Sequence, residues 1–319
     1  MSNILEVRDL KINFYTESGI VKAVDGVNFS LGVGKTTAMV GESGCGKSMT
    51  ALSILRLIPS PGKIEAGTVF WKGRDLLKVS HQEIVGLRGK EIGFIFQEPL
   101  TSFNPVRRVG EQIGEVLEIH TDLSKEAIKE MVCEKMSRVG FTAPMTQYNA
   151  YPHELSGGMR QRAMIAMALI CGPDLLIADE PTTALDVTIQ AQILDLIREL
   201  QAENQMSSLL ITHNLGIVAE MADLVAVMYA GKIVEQAPVR ALFRSPRHPY
   251  TQGLLASVPQ LNGTETLYTI PGMIPDPFNL PAGCYFAPRC PVAKAVCKER
   301  YPEPATPGEE HTVACWLYA

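Results

Sequence analysis

Residues 41–48 read Gly41-Glu42-Ser43-Gly44-Cys45-Gly46-Lys47-Ser48 and fit the pattern G-x-x-x-x-G-K-[S/T] in full. The pattern suits a phosphate chain. Its glycines let successive backbone N–H groups turn inward onto anionic oxygens, and a helix starting at its end adds a positive pole. Lys47 is then placed to bridge the β- and γ-phosphates of a nucleoside triphosphate, and Ser48 to ligate the accompanying Mg²⁺. An apolar run ending at Ala38–Val40 precedes the loop, and Ser48–Leu57 reads as a helix stopped by Pro59 and Pro61. Gly34-Lys35-Thr36 copies the end of the pattern but lacks the leading glycine, since Phe29 stands there, and it precedes the strand; it reads as a surface turn.

A second group of reactive residues lies near the middle of the chain. The apolar run Leu175–Ala178 ends in Asp179 and Glu180, and the carboxyl ends of strands are where open α/β sheets bind ligands. Asp179 suits the Mg²⁺ shell, and Glu180 suits polarising an attacking water as general base. Leu155-Ser156-Gly157-Gly158-Met159-Arg160-Gln161-Arg162 places Ser-Gly-Gly at the start of a helix, a second anion site built from N–H groups and a helix dipole. One bound nucleotide needs one phosphate cradle. Two cradles in one chain make sense in a head-to-tail dimer, where each subunit caps the other's γ-phosphate. Gln97 ends the strand-like run Ile92–Phe96, placed to sense Mg²⁺ and water, and His213 follows Leu210-Ile211-Thr212.

These groups need a scaffold of strands with helices between them. Leu5–Phe14 partly alternates and reads as a strand; Ser208–Ile211 and Leu224–Met228 are short apolar runs, and Ile189, Ile193, Leu196, Ile197 and Leu200 mark an amphipathic helix. Short apolar strands alternating with helices predict an α/β fold with a parallel sheet covered on both faces. Residues 98–155 differ: Ile128, Met131, Val132, Met136 and Val139 recur at helical spacing, with Ser124 as N-cap and Gly140 as stop. Prolines become frequent after Pro238 and the patterning fades, which predicts a boundary near residue 245.

The 319 residues include 29 Lys and Arg against 34 Asp and Glu, a formal charge of −5. This mild acidity argues against nucleic acid as a partner. Met1–Asp9 carries no apolar run of the signal-peptide kind, and no apolar run approaches the roughly 20 residues needed to span a bilayer. Any membrane role is therefore expected to come through partners. Seven cysteines, an odd number, point to a reducing compartment and away from a disulfide framework.

Four of those cysteines, Cys284, Cys290, Cys297 and Cys315, crowd the proline-rich tail with the spacing C-x5-C-x6-C-x17-C. Four thiolates complete a ligand set for a [4Fe–4S] cluster or a structural Zn²⁺. Zinc usually takes a tight C-x2-4-C pair, and the nearest spacing here is five residues. The pattern favours the cluster, in a structural or regulatory role, over zinc and over four unliganded thiols.

Together these strings resemble the ABC ATPase family: Walker A at 41–48, Q-loop at Gln97, signature at 155–159, Walker B at 175–180, D-loop at Ala184-Leu185-Asp186 and switch histidine at His213. Met159 stands where the family most often has Gln. Gln97–Pro105, Arg247–Leu255 and Gly283–Pro291 further resemble the dipeptide and oligopeptide importer group of that family. The resemblance implies an ATP-binding domain over 1–245 with a helical subdomain at about 98–158 and an antiparallel β edge. A small cysteine-rich domain follows over 246–319. It implies ATP and Mg²⁺ as ligands, with residues 41–49, Met49 included, around the phosphates, and Lys47, Gln97, Glu180 and His213 in catalysis. The adenine-stacking ring should be Phe14, with Tyr15 as the fallback.

The implied work is ATP hydrolysis powering peptide import at the cytoplasmic face of the cell membrane. The implied partners are a second ATPase subunit, identical or a paralogue, two integral membrane permease subunits and, indirectly, an extracytoplasmic peptide-binding protein. A nickel- or opine-type importer ATPase of the same group is the nearest alternative. A soluble ABC ATPase outside transport is the other, against which stand the single cassette and the lack of a long heptad insertion.

Overall fold

The computed structural model describes residues 3–182, 185–258, 268–308 and 310–319. The chain opens with β1 (Asn3–Thr16), β2 (Gly19–Gly32), β3 (Thr36–Val40), α1 (Lys47–Ile54), β4 (Gly62–Trp71) and β5 (Arg74–Asp75). It continues through α2 (His81–Leu87), β6 (Ile92–Ile95), α3 (Pro99–Ser102), α4 (Val109–His120), α5 (Lys125–Arg138), α6 (Pro144–Tyr148) and α7 (Gly157–Leu169). Then come β7 (Leu175–Asp179), α8 (Val187–Asn204), β8 (Ser207–Ile211), α9 (Leu215–Met221), β9 (Leu224–Tyr229), β10 (Lys232–Pro238) and α10 (Val239–Arg244). The end of the chain forms α11 (Pro249–Ala256), α12 (Val296–Glu299), β11 (Ala305–Gly308) and β12 (His311–Val313). Two compact units result: Met1–Gly32, Thr36–Lys78 and Ile211–Ala319 make one, and Val33–Lys35 with Val79–Leu210 make the other.

In the first unit β1 and β2 form a long hairpin, with Val7 opposite Phe29 and Phe14 opposite Val21. Leu5, Val7, Leu10 and Ile12 of β1 are buried, as are Val24, Val27, Phe29 and Leu31 of β2. β4 pairs along the other edge of β1, giving the antiparallel order β2-β1-β4-β5. A second set of strands in this unit runs β11-β12-β10-β9-β3. β3 lies parallel to β9, Met39 opposite Ala226, and both are buried, save half-buried Leu224 at the start of β9, as strands covered on two faces must be. β10 then turns back antiparallel to β9, and β12 pairs with β10 through Glu235 and Val313. The expected parallel sheet is thus mixed, and its antiparallel edge includes strands from the far end of the chain.

The second unit carries β6 parallel to β7, with Phe94 opposite Ile177, and β8 in the order β8-β7-β6. Some of its helices begin at polar side-chain caps. Ser80 and Glu83 form a capping box on α2, Ser124 accepts from Ala127 N–H on α5, and Asp186 accepts from Ile189 N–H on α8. α5 stops before Gly140, whose φ of 90° suits glycine. Ile128, Val132, Met136 and Val139 are buried as their spacing predicts, whereas Met131 is 37% exposed, so the apolar stripe is narrower than the residue count suggests. Gly34-Lys35 lies in an exposed turn as expected. No helix among the described residues is long and apolar enough to cross a membrane.

Candidate functional site

In the first unit the phosphate loop leaves the buried end of β3 and enters α1 at Lys47. Gly41 and Gly46 are forced choices. A Cβ on Gly41 would sit 2.1 Å from the Met228 carbonyl oxygen, and one on Gly46 would sit 2.3 Å from that of Ala23. Gly46 also holds φ 105°. Ser43 and Gly44 form the exposed tip, while Ser48 and Met49 are half-buried. Lys47 is buried and folded back on its own loop, donating to the carbonyl oxygens of Gly41 at 2.8 Å and Glu42 at 3.1 Å. Cys45 is buried beneath the loop, and burial raises its thiol pKa despite the nearby Lys47 ammonium.

In the second unit β7 delivers Asp179 as its last residue, buried at the strand end, and Glu180 follows with a left-handed φ of 47°. A non-glycine residue in that region is uncommon and marks a constrained backbone. The Gln97 side chain, just past the end of β6, donates to a Glu180 carboxylate oxygen at 3.3 Å. The two residues are brought together from positions 83 apart.

The same unit presents the N-terminus of α7. Ser156 is its cap and accepts from Met159 N–H, leaving Gly157 and Gly158 to open the helix. No atom lies within 4 Å of a Cβ built on Gly157, so the helix entrance is open there. Arg160 fastens the segment from behind by donating to the Pro152 and Leu155 carbonyls. Leu185 and Asp186 lead into α8, whereas Ala184 lies outside the described residues.

His213 is exposed in the first unit, one residue before Asn214, which caps α9. Of the two candidate rings, Tyr15 is engaged: its hydroxyl donates to Glu65 at 2.8 Å, and the Lys63 ammonium lies 5.4 Å over its ring. Phe14 is half-buried with its ring edge against Gly62.

Residues 24–183 match the sequence model of the ABC transporter family, and residues 234–297 match that of the oligopeptide/dipeptide transporter C-terminal region. The chain belongs to the ABC transporter family. The dipeptide transport ATP-binding protein DppD of Bacillus subtilis (strain 168) is 52% identical over 99% of this chain and 95% of its own length. The oligopeptide transport ATP-binding protein OppD of the same organism is 52% identical over 99% of this chain and 89% of its own. Among solved structures, the ATP-binding cassette MJ0796, in a dimeric post-hydrolysis state with ADP and Pi, superposes with a TM-score of 0.67 at 24% identity. That match covers 74% of this chain and 99% of MJ0796 and supports the fold. The cbiO1 protein of Clostridium perfringens, part of the ABC transporter complex cbiONQ, superposes at 0.64 and 27% identity over 77% of this chain and 92% of its own.

The ABC cassette is followed by a tail whose cysteines were expected to hold a metal. Cys284, Cys290, Cys297 and Cys315 line one small, mostly apolar cavity together with His248, Phe286 and Trp316. Cys284 N–H donates to the Cys297 carbonyl, and Lys294 N–H to the Cys297 sulfur. Burial pushes the Cys284 thiol up to about 11 and raises Cys290 and Cys315 as well. Among the described residues no group of three or more His, Cys, Asp or Glu side chains could hold a metal ion. The expectation of a [4Fe–4S] cluster, and of zinc as its alternative, is therefore not supported by the arrangement: the four cysteines share a cavity, but among the described residues they do not form a metal-holding group.

The ABC motifs did not point to two residues on the phosphate loop. Arg289 clasps the Glu42 carboxylate with both terminal nitrogens at 2.8 and 3.1 Å, and the Tyr250 hydroxyl accepts from Glu42 N–H at 2.9 Å. Both lie inside tail segments that resemble peptide importers, the one signal that singled them out.

Proposed function

We propose that this chain is the ATP-hydrolysing subunit of an ABC importer for dipeptides or oligopeptides. Full-length 52% identity to a dipeptide transport ATP-binding protein carries the reading, because it spans cassette and tail alike. Residues 1–245 serve as the ATP-binding part and 246–319 as the importer-type tail. The chain works at the cytoplasmic face of the membrane. It pairs head to tail with a second ATPase subunit, itself or a paralogue, and docks on two permease subunits that receive cargo from an extracytoplasmic binding protein.

ATP lies with its phosphates in the loop of residues 41–49 and its adenine against Phe14, since Tyr15 is held by Glu65. A face-stacked ring reads any purine, so base selectivity should be weak. Lys47 leaves its loop carbonyls for the β- and γ-phosphates. Ser48, Gln97 and Asp179 are the residues that would hold the Mg²⁺ accompanying ATP, being hard oxygen donors of the kind that ion takes, and the ion would neutralise phosphate charge. Glu180, oriented by Gln97, accepts a proton from water as the water oxygen bonds to the γ-phosphorus. The bond from that phosphorus to the β–γ bridging oxygen breaks, and ADP leaves. Ser156, Gly157 and Gly158 of the other subunit cap the γ-phosphate, and His213 contacts it. Fractionation tests the assignment: ATPase activity should co-purify with integral membrane subunits, and an ATPase recovered without any would overturn it.

We also propose that Cys284, Cys290, Cys297 and Cys315 hold a [4Fe–4S] cluster. The support is that the four cysteines line one cavity, and four thiolates make up a full ligand set for such a cluster. When bound, the cluster supplies four sulfur–iron cross-links that fix a tail poor in regular structure. Anaerobic purification followed by iron, sulfide and zinc analysis tests it; stoichiometric zinc without iron would refute the cluster.

A further inference from the structure

Glu42 is an acid at the second position of a loop built to receive a polyanion. An uncompensated carboxylate there repels phosphate, yet the structure keeps it and supplies a partner. Arg289 reaches it from 247 positions along the chain. The Arg289 side chain is 5% exposed and that of Glu42 25%, so solvent screens the pair weakly. Both terminal guanidinium nitrogens engage the carboxylate, the fork geometry that makes arginine–carboxylate pairs strong.

The fork is set in place by two carbonyls of the tail and one hydroxyl of β9. Arg289 donates through Nε to the Pro271 carbonyl at 3.1 Å, through Nη2 to that of Ile270 at 3.3 Å, and through Nη1 to the Tyr229 hydroxyl at 3.3 Å. The loop is also held through its backbone. Glu42 N–H points to Tyr250, whose buried ring packs 4.6 Å from Tyr229 and 5.5 Å from Phe286. Tyr250 N–H in turn donates to His248 Nδ1 at 3.1 Å; burial lowers the His248 pKa to about 3, keeping that nitrogen an acceptor. The carbonyls of Gly41 and Glu42, which carry Lys47, thus belong to a loop segment anchored from the tail.

We propose that Arg289 is a positioning residue for ATP: it neutralises Glu42 and holds the phosphate loop, so the tail sets the cassette's affinity for nucleotide. The proposal rests on the reading of this chain as an ATPase. Its test is Mg·ATP affinity of the full-length chain, with KM and kcat of the assembled transporter. Arg289→Met should weaken ATP binding and raise KM about tenfold, the order expected for losing one charge-assisted pair, with kcat within about twofold. Arg289→Lys keeps the charge without the fork and should fall between the two. The deciding variant is Arg289→Met with Glu42→Gln, which removes the stranded carboxylate and should recover most of the lost affinity. Recovery is not expected if Arg289 merely props the tail. Unchanged affinity in Arg289→Met, or no recovery in the double variant, overturns the proposal. If Arg289→Met does not fold, Arg289→Lys alone and with Glu42→Gln decides by the same comparison. A parent chain that bound no ATP would instead refute the ATPase reading.

Discussion

Gln97 donates its side-chain amide to Glu180 at 3.3 Å, and Glu180 receives it from a left-handed backbone directly after buried Asp179. The two acids therefore leave one strand end in different environments, Asp179 within the protein and Glu180 turned out to meet Gln97 from just past the end of β6. Glu180→Gln keeps the shape and removes the base. It should retain ATP binding and lose turnover by ~10²–10⁴-fold, the usual cost of a positioned base. Single-turnover hydrolysis with radiolabelled ATP measures this, and a Gln variant at parental rate would remove Glu180 from the role.

Ser156 caps α7, the helix start proposed as the second anion site. Ser156→Arg places a bulky cation there and should block hydrolysis at the nucleotide held by the other subunit's phosphate loop. In dimers mixed from tagged parental and variant chains, the variant chain's own loop should still bind ATP at parental affinity. Loss of binding in the chain that carries the substitution would rule out the head-to-tail arrangement.

Gly46 has no room for a side chain, with φ 105° and the Ala23 carbonyl 2.3 Å from a built Cβ. Gly46→Ala should cost about 1–3 kcal/mol of stability and displace Lys47 from its helix start. Gly44→Ala meets no atom within 4 Å and carries only the backbone cost of φ 78°. Thermal melts with and without Mg·ATP should show a lower midpoint and a lost nucleotide shift for Gly46→Ala, and a milder change for Gly44→Ala. Equal melts for the two variants would contradict the packing argument.

Asp25 ties the β1–β2 hairpin to the tail. Burial alone would raise its carboxyl pKa, but the Tyr285 hydroxyl at 2.7 Å and the Lys232 ammonium at 3.0 Å outweigh that and hold it below the usual value. A depressed folded pKa stabilises fully above the unfolded value, about 3.9, and the gain is lost as pH falls through the folded value. Asp25→Asn should cost about 1–3 kcal/mol at neutral pH. The gap in melting temperature between parent and variant should stay constant down to the ordinary aspartate range and then close. A gap that persisted through acid would assign the effect to packing alone.

The local geometry around the candidate motifs was legible because each motif is short. Gly41–Ser48, Asp179–Glu180 and Ser156–Gly158 carry their glycines, charges and caps within a few residues, and Ser124 and Gly140 marked α5 for the same reason. What stayed hidden depends on long-range pairing. Nothing near Glu42 announces Arg289, 247 positions away. Met131 shows the limit of counting apolar residues on a helix, since only tertiary contacts decide which edge of the stripe is covered. β11 was hidden by its composition: Ala305–Gly308 contains Pro307, which a strand at the rim of a sheet tolerates and an interior strand does not.

β12 lies along β10, with Glu235 opposite Val313 and Gln236 opposite Thr312. β12 thus seals a hydrogen-bonding edge laid down far earlier in the chain, His311 lying 76 positions from Glu235. Cutting the chain after residue 245 to obtain a minimal cassette would strip that seal and leave a raw row of amides and carbonyls beside Val234 and Ala237, both buried in the intact chain. Such a fragment should be adhesive, recruiting strands from other molecules, and the full-length protein is the form to concentrate or crystallise.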